Sequence, residues 1–422
     1  MAHINCAHDM TLLFTILFAW LALVAGLLIA FRDRLLTLWH EPAFKAPILI
    51  IESDDWGAGP LTQAEALSKL AVCLNRYHDV TGRPACMTLA IILAIPRPEM
   101  AGKVTLADAE QLPVLNSIRA GQAKGVFAPQ LHGMMHFWPD ALREAASVQT
   151  EVRTWLKKSE LTEQLPSHLQ SRWTNAANLP SKPHSLEDVQ AAVAEEVGLF
   201  KSLFVGVGAP LSKIYADAAR SPLAPTDLVV VPPTFVWDSR VETAWANQGV
   251  EVVITPGCRL TCRDADGKPG CQDKTMLNGN RGSGDVIYLV RDDYFEPVFG
   301  HRPEQALSAL ARKTILGRPC LLETHRSNFL TEAGGEPTAA LAALDDLYTR
   351  ALRDFPNLRF ATPAELGNAI RTGDANWIEQ DPRCRFTIWL RRIATLPRFG
   401  KVARLTGLLP LLNLFARSDL RP

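Results

Sequence analysis

Asp54 and Asp55 stand side by side just after an apolar run, Lys45 to Ile51 (KAPILII), with only Glu52 and Ser53 between. Two adjacent carboxylates at the end of a buried strand repel each other, so the pair calls for a cation or a proton. His132 and His136 follow a second apolar stretch, Gly125 to Leu131. At i and i+4 they would share one helical face and could grip a single metal ion. His325 follows a third, Pro319 to Leu322, inside Glu323-Thr324-His325-Arg326-Ser327-Asn328. One carboxylate with two imidazoles leaves coordination positions open, the arrangement of a catalytic rather than a structural zinc centre. Such a cation acidifies water and polarises a carbonyl, while the second carboxylate accepts a proton and a separate histidine returns one. Each cluster alone has an ordinary explanation: a capping turn, a surface histidine pair, a hydrogen-bonded core histidine. Their common placement at the ends of apolar runs gives them weight together.

The elements that must position these residues are legible as continuous apolar runs, the pattern of strands buried on both faces. Beyond Lys45 to Ile51 they are Cys86 to Ile95, Gly125 to Leu131, Leu228 to Val231, Val250 to Thr255, Val286 to Arg291, Pro319 to Glu323 and Leu358 to Thr362. Ser185 to Phe204 opens with an N-cap serine and early acids, as a helix should. Pro337 to Phe355 is a second amphipathic helix candidate. Strand and helix in alternation predict an α/β barrel or a doubly wound sheet, and both carry their sites at the carboxyl ends of the strands. Asn278 to Asp285 (NGNRGSGD) reads as a flexible loop, and no helix pattern follows it to make a phosphate cradle.

The three clusters resemble the motifs of the polysaccharide deacetylase family, carbohydrate esterases built on the chitooligosaccharide deacetylase homology domain. Ile48 to Asp55 is similar to the family's apolar strand ending in Asp-Asp, and His132-Gly133-Met134-Met135-His136 to its His-(Ser/Thr)-x-x-His. Leu321 to His325 is similar to its closing histidine strand, and Phe360 to Leu366 to its last strand and helix. The resemblance implies a distorted (β/α)7 barrel over residues 46–372 and metal-dependent removal of an acyl group from an N-acylated sugar. It casts Asp54 as general base, His325 as general acid, and Asp55, His132 and His136 as ligands of a divalent metal, zinc first. The spacing from Asp55 to His132 is longer than the family's, which requires an insertion to loop out. The family's arginine beside a proline has no clean match; the nearest residues are Val230-Val231-Pro232-Pro233, followed by Trp237-Asp238 and Arg240. Gly133 stands where Ser or Thr is usual, which removes a hydroxyl that would brace the loop.

Aromatic residues near the motifs, Trp56, Phe137, Trp138 and Trp237, could pack on the C–H face of a pyranose. Arg326 and Asn328 could bind a carboxylate or hydroxyl of the substrate. Two rival functions stay open. A glycoside hydrolase would need a pair of carboxylates, with Glu52, Glu323 and Asp238 on offer. A non-catalytic scaffold of a glycan assembly machine would keep the barrel alone.

The chain has 422 residues, 47% hydrophobic and 21% charged, with 44 basic and 44 acidic side chains, which excludes a disordered or strongly nucleic-acid-binding protein. Thr11 to Phe31 is 21 residues without a charge, long enough at about 1.5 Å per residue to cross a bilayer core. We therefore expect an N-terminal flank (1–10), a single-pass anchor (11–31), a linker (32–45), the barrel, and a basic amphipathic tail (373–422). From Arg383 onward nine basic residues face one acid, Asp419, so the tail either lies on an anionic membrane or docks on the protein. Its Pro397 and Pro410 limit it to short helices. Arg32 and Arg34 after the anchor favour a cytoplasmic body. Cys258, Cys262 and Cys271 in one loop suggest instead a disulfide and an oxidising compartment, so we expect a bacterial inner-membrane protein whose facing the two signals leave open, with the outward one preferred.

Overall fold

The computed structural model describes residues 2–97, 102–158, 164–205, 228–330 and 338–416. Pro337 and the end of the tail, with Arg417, Asp419 and Arg421, lie outside them.

Thirteen strands run along the described chain: β1 (Ile48–Gly57), β2 (Met87–Ile92), β3 (Ala94–Pro96), β4 (Lys103–Thr105), β5 (Phe127–Leu131), β6 (Leu228–Val230), β7 (Val250–Thr255), β8 (Cys258–Arg263), β9 (Pro269–Thr275), β10 (Ile287–Val290), β11 (Asp293–Tyr294), β12 (Cys320–His325) and β13 (Arg359–Phe360). Nine of them form one parallel sheet in the order β10-β7-β6-β5-β2-β1-β12-β11, with β13 pairing β1 from the side. Every expected strand is present within a few residues. In the main sheet only β11 lacked a sequence signal, since no apolar run marks it; outside that sheet β4, β8 and β9 were not foreseen either.

Alternate residues of the strands enter two different cores. Leu49, Ile51, Leu89, Ile91, Val253 and Leu322 pack outward, with residues of the helices Gln63–Leu74, Leu112–Ala123, Leu186–Phe204, Ser239–Asn247, Pro303–Ile315 and Thr338–Asp354. Ile48, Ile50, Ala90, Val229, Ile254, Leu289 and Leu321 meet one another on the opposite face, closed off by the helix Pro363–Thr372. Helices gathered on one face around a shared interior make a curled half-barrel rather than a doubly wound sheet. The path is open, since β10 and β11 pair with no further strand among the described residues.

The structure adds detail to both flanks. Within residues 32–45, Arg32–His40 is a helix whose Leu35 and Leu38 are buried. The tail folds into three short helices, Pro382–Ala394, Pro397–Leu405 and Leu408–Asn413. Pro397 takes a first-turn position, where its missing N–H costs nothing. Leu390, Ile393, Phe399, Ala403, Leu408 and Leu409 bury against Val24, Leu27, Leu35 and Leu38. The tail thus docks on the anchor helix and on Arg32–His40. Its staple is Arg392, only 2% exposed, which donates to the carbonyls of Leu38, Glu41, Pro42, Leu316 and Gly317. Met10–Ala30 is one helix long and apolar enough to cross a membrane, and its side chains are mostly exposed.

The Asn278–Asp285 segment is not a loose loop. Asn278 is buried, accepts from the Val290 N–H and donates to Glu41, while the Ser283 N–H donates to Glu242.

Candidate metal and acid-base site

β1 ends in a bulge. Its pairing with β2 shifts between Ser53 and Trp56, and Asp55 holds the left-handed value φ 72°. Strict alternation would turn Asp55 outward; the bulge re-aims it, so both carboxylates serve the same end of the sheet. Aspartate tolerates this backbone better than most side chains.

His132 and His136 converge, but not on a helix. Residues 132–138 form an irregular loop after β5, and Gly133 at φ 110° makes the turn. A Cβ on Gly133 would lie 2.9 Å from Arg172 Cδ. The brace absent from the sequence motif is supplied from elsewhere. Buried Glu196 accepts from the Met134 N–H at 3.0 Å and from Arg172 Nε at 2.9 Å, and Arg172 reaches the carbonyls of Met135 and Phe137.

The two imidazoles are fixed in one tautomer. His132 Nδ1 donates to the Val231 carbonyl at 2.7 Å and His136 Nδ1 to the Gln170 carbonyl at 2.8 Å. A carbonyl can only accept, so each Nδ1 carries the hydrogen. Burial pushes His136 down to about 4, which leaves its Nε2 an unprotonated lone pair at neutral pH. The Nε2 atoms of His132 and His136 lie 3.6 and 3.5 Å from Asp55 Oδ1, a buried oxygen with no hydrogen-bond donor. Burial opposes ionisation of Asp55, yet the charges that His136 and His132 carry when protonated, with those of His325 and Arg326, hold it below the usual carboxylate range. Lone pairs and an anion aimed at one point are mutually repulsive unless a cation lies between them. The edges of a tetrahedron with arms of about 2.1 Å are about 3.4 Å, so these residues fit a zinc-sized ion.

Beside this triad lies a second cluster, Asp54, Glu323 and His325, whose ligand-type atoms fall within 4.8 Å of one another. Asp54 and His325 are register partners on β1 and β12. Arg291, at the end of β10, holds Asp54 in a fork, 2.8 and 2.6 Å to its two oxygens. Burial would raise Asp54, but the charge and hydrogen bonds of Arg291 outweigh it and keep the carboxyl below its ordinary value. The orienting arginine is therefore Arg291. Arg240, the nearest candidate by sequence, instead pairs with Asp238 and the His184 carbonyl. Val286 to Arg291 was readable as a strand ending in arginine, the same pattern that marks the other site residues.

Arg291 also touches Glu52 at 3.3 Å and Glu323 at 3.1 Å, and Gln130 donates to Glu52 at 2.9 Å. This polar layer lies inside the half-barrel beneath Asp54. Burial pushes Glu52 up to about 7 against the pull of Arg291.

His325 is the most open of the group, with 32% of its side chain exposed. Its Nδ1 donates to Glu296 at 2.6 Å, and Asn328 binds Glu296 from the other side. Burial favours the neutral ring, but the Glu296 hydrogen bond and the charges of Asp54, Asp55 and Glu296 overcome it and raise His325 to about 10. Glu296 carried no sequence signal, since it follows no apolar run.

Four of the expected substrate contacts change role. Trp56 and Trp237 are fully buried, their indole N–H groups bound to Ser53 and Glu242, so neither can face a sugar. Asn328 is 3% exposed and positions Glu296 and the Val298 N–H. Arg326 is 2% exposed and acts on Asp55 through its charge. Phe137 is core. Trp138 alone stays partly exposed, stacked on His184 at 3.8 Å.

No protein-family model and no curated protein sequence matches the chain. Solved structures similar to it include one described as a polysaccharide deacetylase from Mycobacterium smegmatis, at 11% identity and TM-score 0.37, over 79% of this chain and 96% of that one. A glycoside hydrolase/deacetylase from Parabacteroides distasonis follows at 10% identity and TM-score 0.38, over 80% of this chain and 74% of that one. A 4-alpha-glucanotransferase from Thermococcus litoralis is similar at 9% identity and TM-score 0.37, over 88% of this chain but 48% of its own length. The functional reading rests on the side chains themselves.

The loop hairpin β8–β9 carries a disulfide, Cys262–Cys271, and Cys258 is free. The insertion expected between Asp55 and His132 includes the antiparallel pair β3–β4.

Proposed function

We propose that the protein is a membrane-anchored, metal-dependent hydrolase that removes an acyl group from the nitrogen of an amino sugar in a glycan. The observation that carries this is the orphaned oxygen of Asp55 facing the Nε2 atoms of His132 and His136 at 3.5–3.6 Å, beside an arginine-held carboxylate and a glutamate-held imidazole. Asp55, His132 and His136 would hold the ion. A divalent cation there polarises the substrate carbonyl and acidifies water, and zinc suits the donor set best.

The chain's own groups supply the proton transfers. Asp54 is ionised and fixed by Arg291, ready to take a proton from the attacking water. His325, protonated through Glu296, can donate one to the departing nitrogen. Water attacks the carbonyl carbon, the C–N bond breaks, and an amine and a carboxylate are the products. A low carboxylate and a raised imidazole on neighbouring strands make a distinct base and acid. Trp138 and the exposed Phe299, in the loop after Glu296, offer faces for a pyranose ring.

The glycoside hydrolase alternative loses two of its three carboxylates: Glu52 lies buried under Asp54, and Asp238 caps the helix Ser239–Asn247. Arg291 removes the missing arginine as a ground for a scaffold. The test is acetate release from N-acetylated oligosaccharides by zinc-loaded protein. Asp54→Ala should lower the rate about 10²–10⁴-fold with zinc still bound, and His132→Ala with His136→Ala should abolish zinc uptake. Full activity in either variant would overturn these roles.

A further inference from the structure

The tail and anchor gather at one end of the half-barrel, and the site opens at the other. Arg392 of the tail binds the Pro42 carbonyl, just before β1, and the Leu316 and Gly317 carbonyls, just before β12. Asp54, Asp55 and His325 stand at the far ends of those same two strands. Ile48 to Asp55 is seven residue steps, about 23 Å of extended chain.

The tail also reaches up the anchor helix. Trp20 Nε1 donates to the Thr406 carbonyl at 2.7 Å, and Val24 and Leu27 are buried under tail residues. Trp20 lies about 15 Å along the helix from Ala30, roughly one leaflet. Next to that contact, Leu405 and, further on, Leu414 and Phe415 are 79%, 78% and 70% exposed. Arg32, Arg34, Arg398, Lys401 and Arg404 are exposed around the same base with one exposed acid, Asp33, among them, and residues 382–416 contain no acid. Exposed apolar side chains at leaflet depth, ringed by cations, match acyl chains beneath anionic headgroups.

We infer that the protein sits on an anionic bilayer by the amino-terminal ends of its strands, with the tail helices sunk into one leaflet around the anchor. The site then faces away from that membrane. Resting on the hydrolase reading above, this narrows the substrate to residues of a long glycan chain extending into the aqueous phase. A short glycan still joined to a lipid of the same membrane ends in the headgroup layer and stays out of reach.

The full chain in vesicles containing phosphatidylglycerol tests both parts. A fluorescent amino acid is placed at Leu405 or at Phe299, with nitroxide-labelled lipid as quencher. The probe at 405 should be quenched severalfold and the probe at 299 left bright; equal quenching at both would overturn the seating. In vesicles of the same composition carrying the unlabelled chain, free N-acetylated hexasaccharide should release acetate, while a lipid-linked N-acetylglucosamine should do so at least tenfold more slowly. That gap should close when the same components are mixed in detergent micelles. Equal rates for both substrates in vesicles would overturn the substrate inference. No acetate from any substrate, with the quenching pattern intact, supports the seating and instead overturns the hydrolase reading.

Discussion

Arg291→Lys isolates how the base is tuned. The guanidinium gives Asp54 two hydrogen bonds and lies against Glu52 and Glu323, all of them buried. Lysine keeps the charge but has one nitrogen, so it cannot span both Asp54 oxygens. Losing one charge-assisted bond costs about 1.5–3 kcal/mol. At 1.36 kcal/mol per pH unit, that raises the Asp54 pKa by about 1–2 units. The wild-type carboxyl is depressed, so its contribution to stability is present above the unfolded value and is lost as pH falls through the folded one. In the variant that loss begins at higher pH. The base must be ionised to work, so the acid limb of kcat/KM for acetate release should move up by the same 1–2 units. The alkaline limb, set by His325, should stay in place. Urea unfolding at pH 7 reads the stability change. An acid limb within about 0.3 unit of wild type, in a folded variant, would refute Arg291 as the group that sets Asp54.

Two further substitutions probe the other halves of the site. Glu296→Gln removes the carboxylate that holds His325 near 10, so the acid deprotonates earlier and the alkaline limb should move to lower pH by a unit or more, visible in the same pH profile. Gly133→Ala meets both a positive φ and Arg172, and should cost about 1–3 kcal/mol in thermal unfolding while weakening zinc affinity about tenfold or more in a competition titration.

The sequence showed the site's outline because its chemistry breaks an apolar pattern: Asp54, Asp55, His132, His136 and His325 are polar residues where a buried run stops. Arg291 breaks the pattern the same way, although no proline stands beside it. Glu296 and Arg172 were not legible, since each reaches the site from a loop; Glu196 sits on the buried face of a legible helix, but the pattern that shows the helix does not show what its carboxylate meets. The fate of Trp56 and Trp237 was equally hidden. An aromatic beside a motif reads alike whether it faces solvent or the helices, and only the bulge in β1 and the packing of the β8–β9 hairpin decide it. For the tail, composition stated that it was amphipathic, but which surface it covered depended on a helix nearly 400 residues away.

Because Asp54 and Asp55 are consecutive residues on a strand flanked by β2, β12 and β13, one covalent unit carries both the proton acceptor and a ligand of the ion. Neither can be adjusted without the other. Evolution or engineering toward a bulkier acyl group therefore has little freedom on that wall. It must work instead on the opposite side, where the 292–301 loop brings Glu296 to His325 and can be lengthened, shortened or re-angled while the paired aspartates stay where they are.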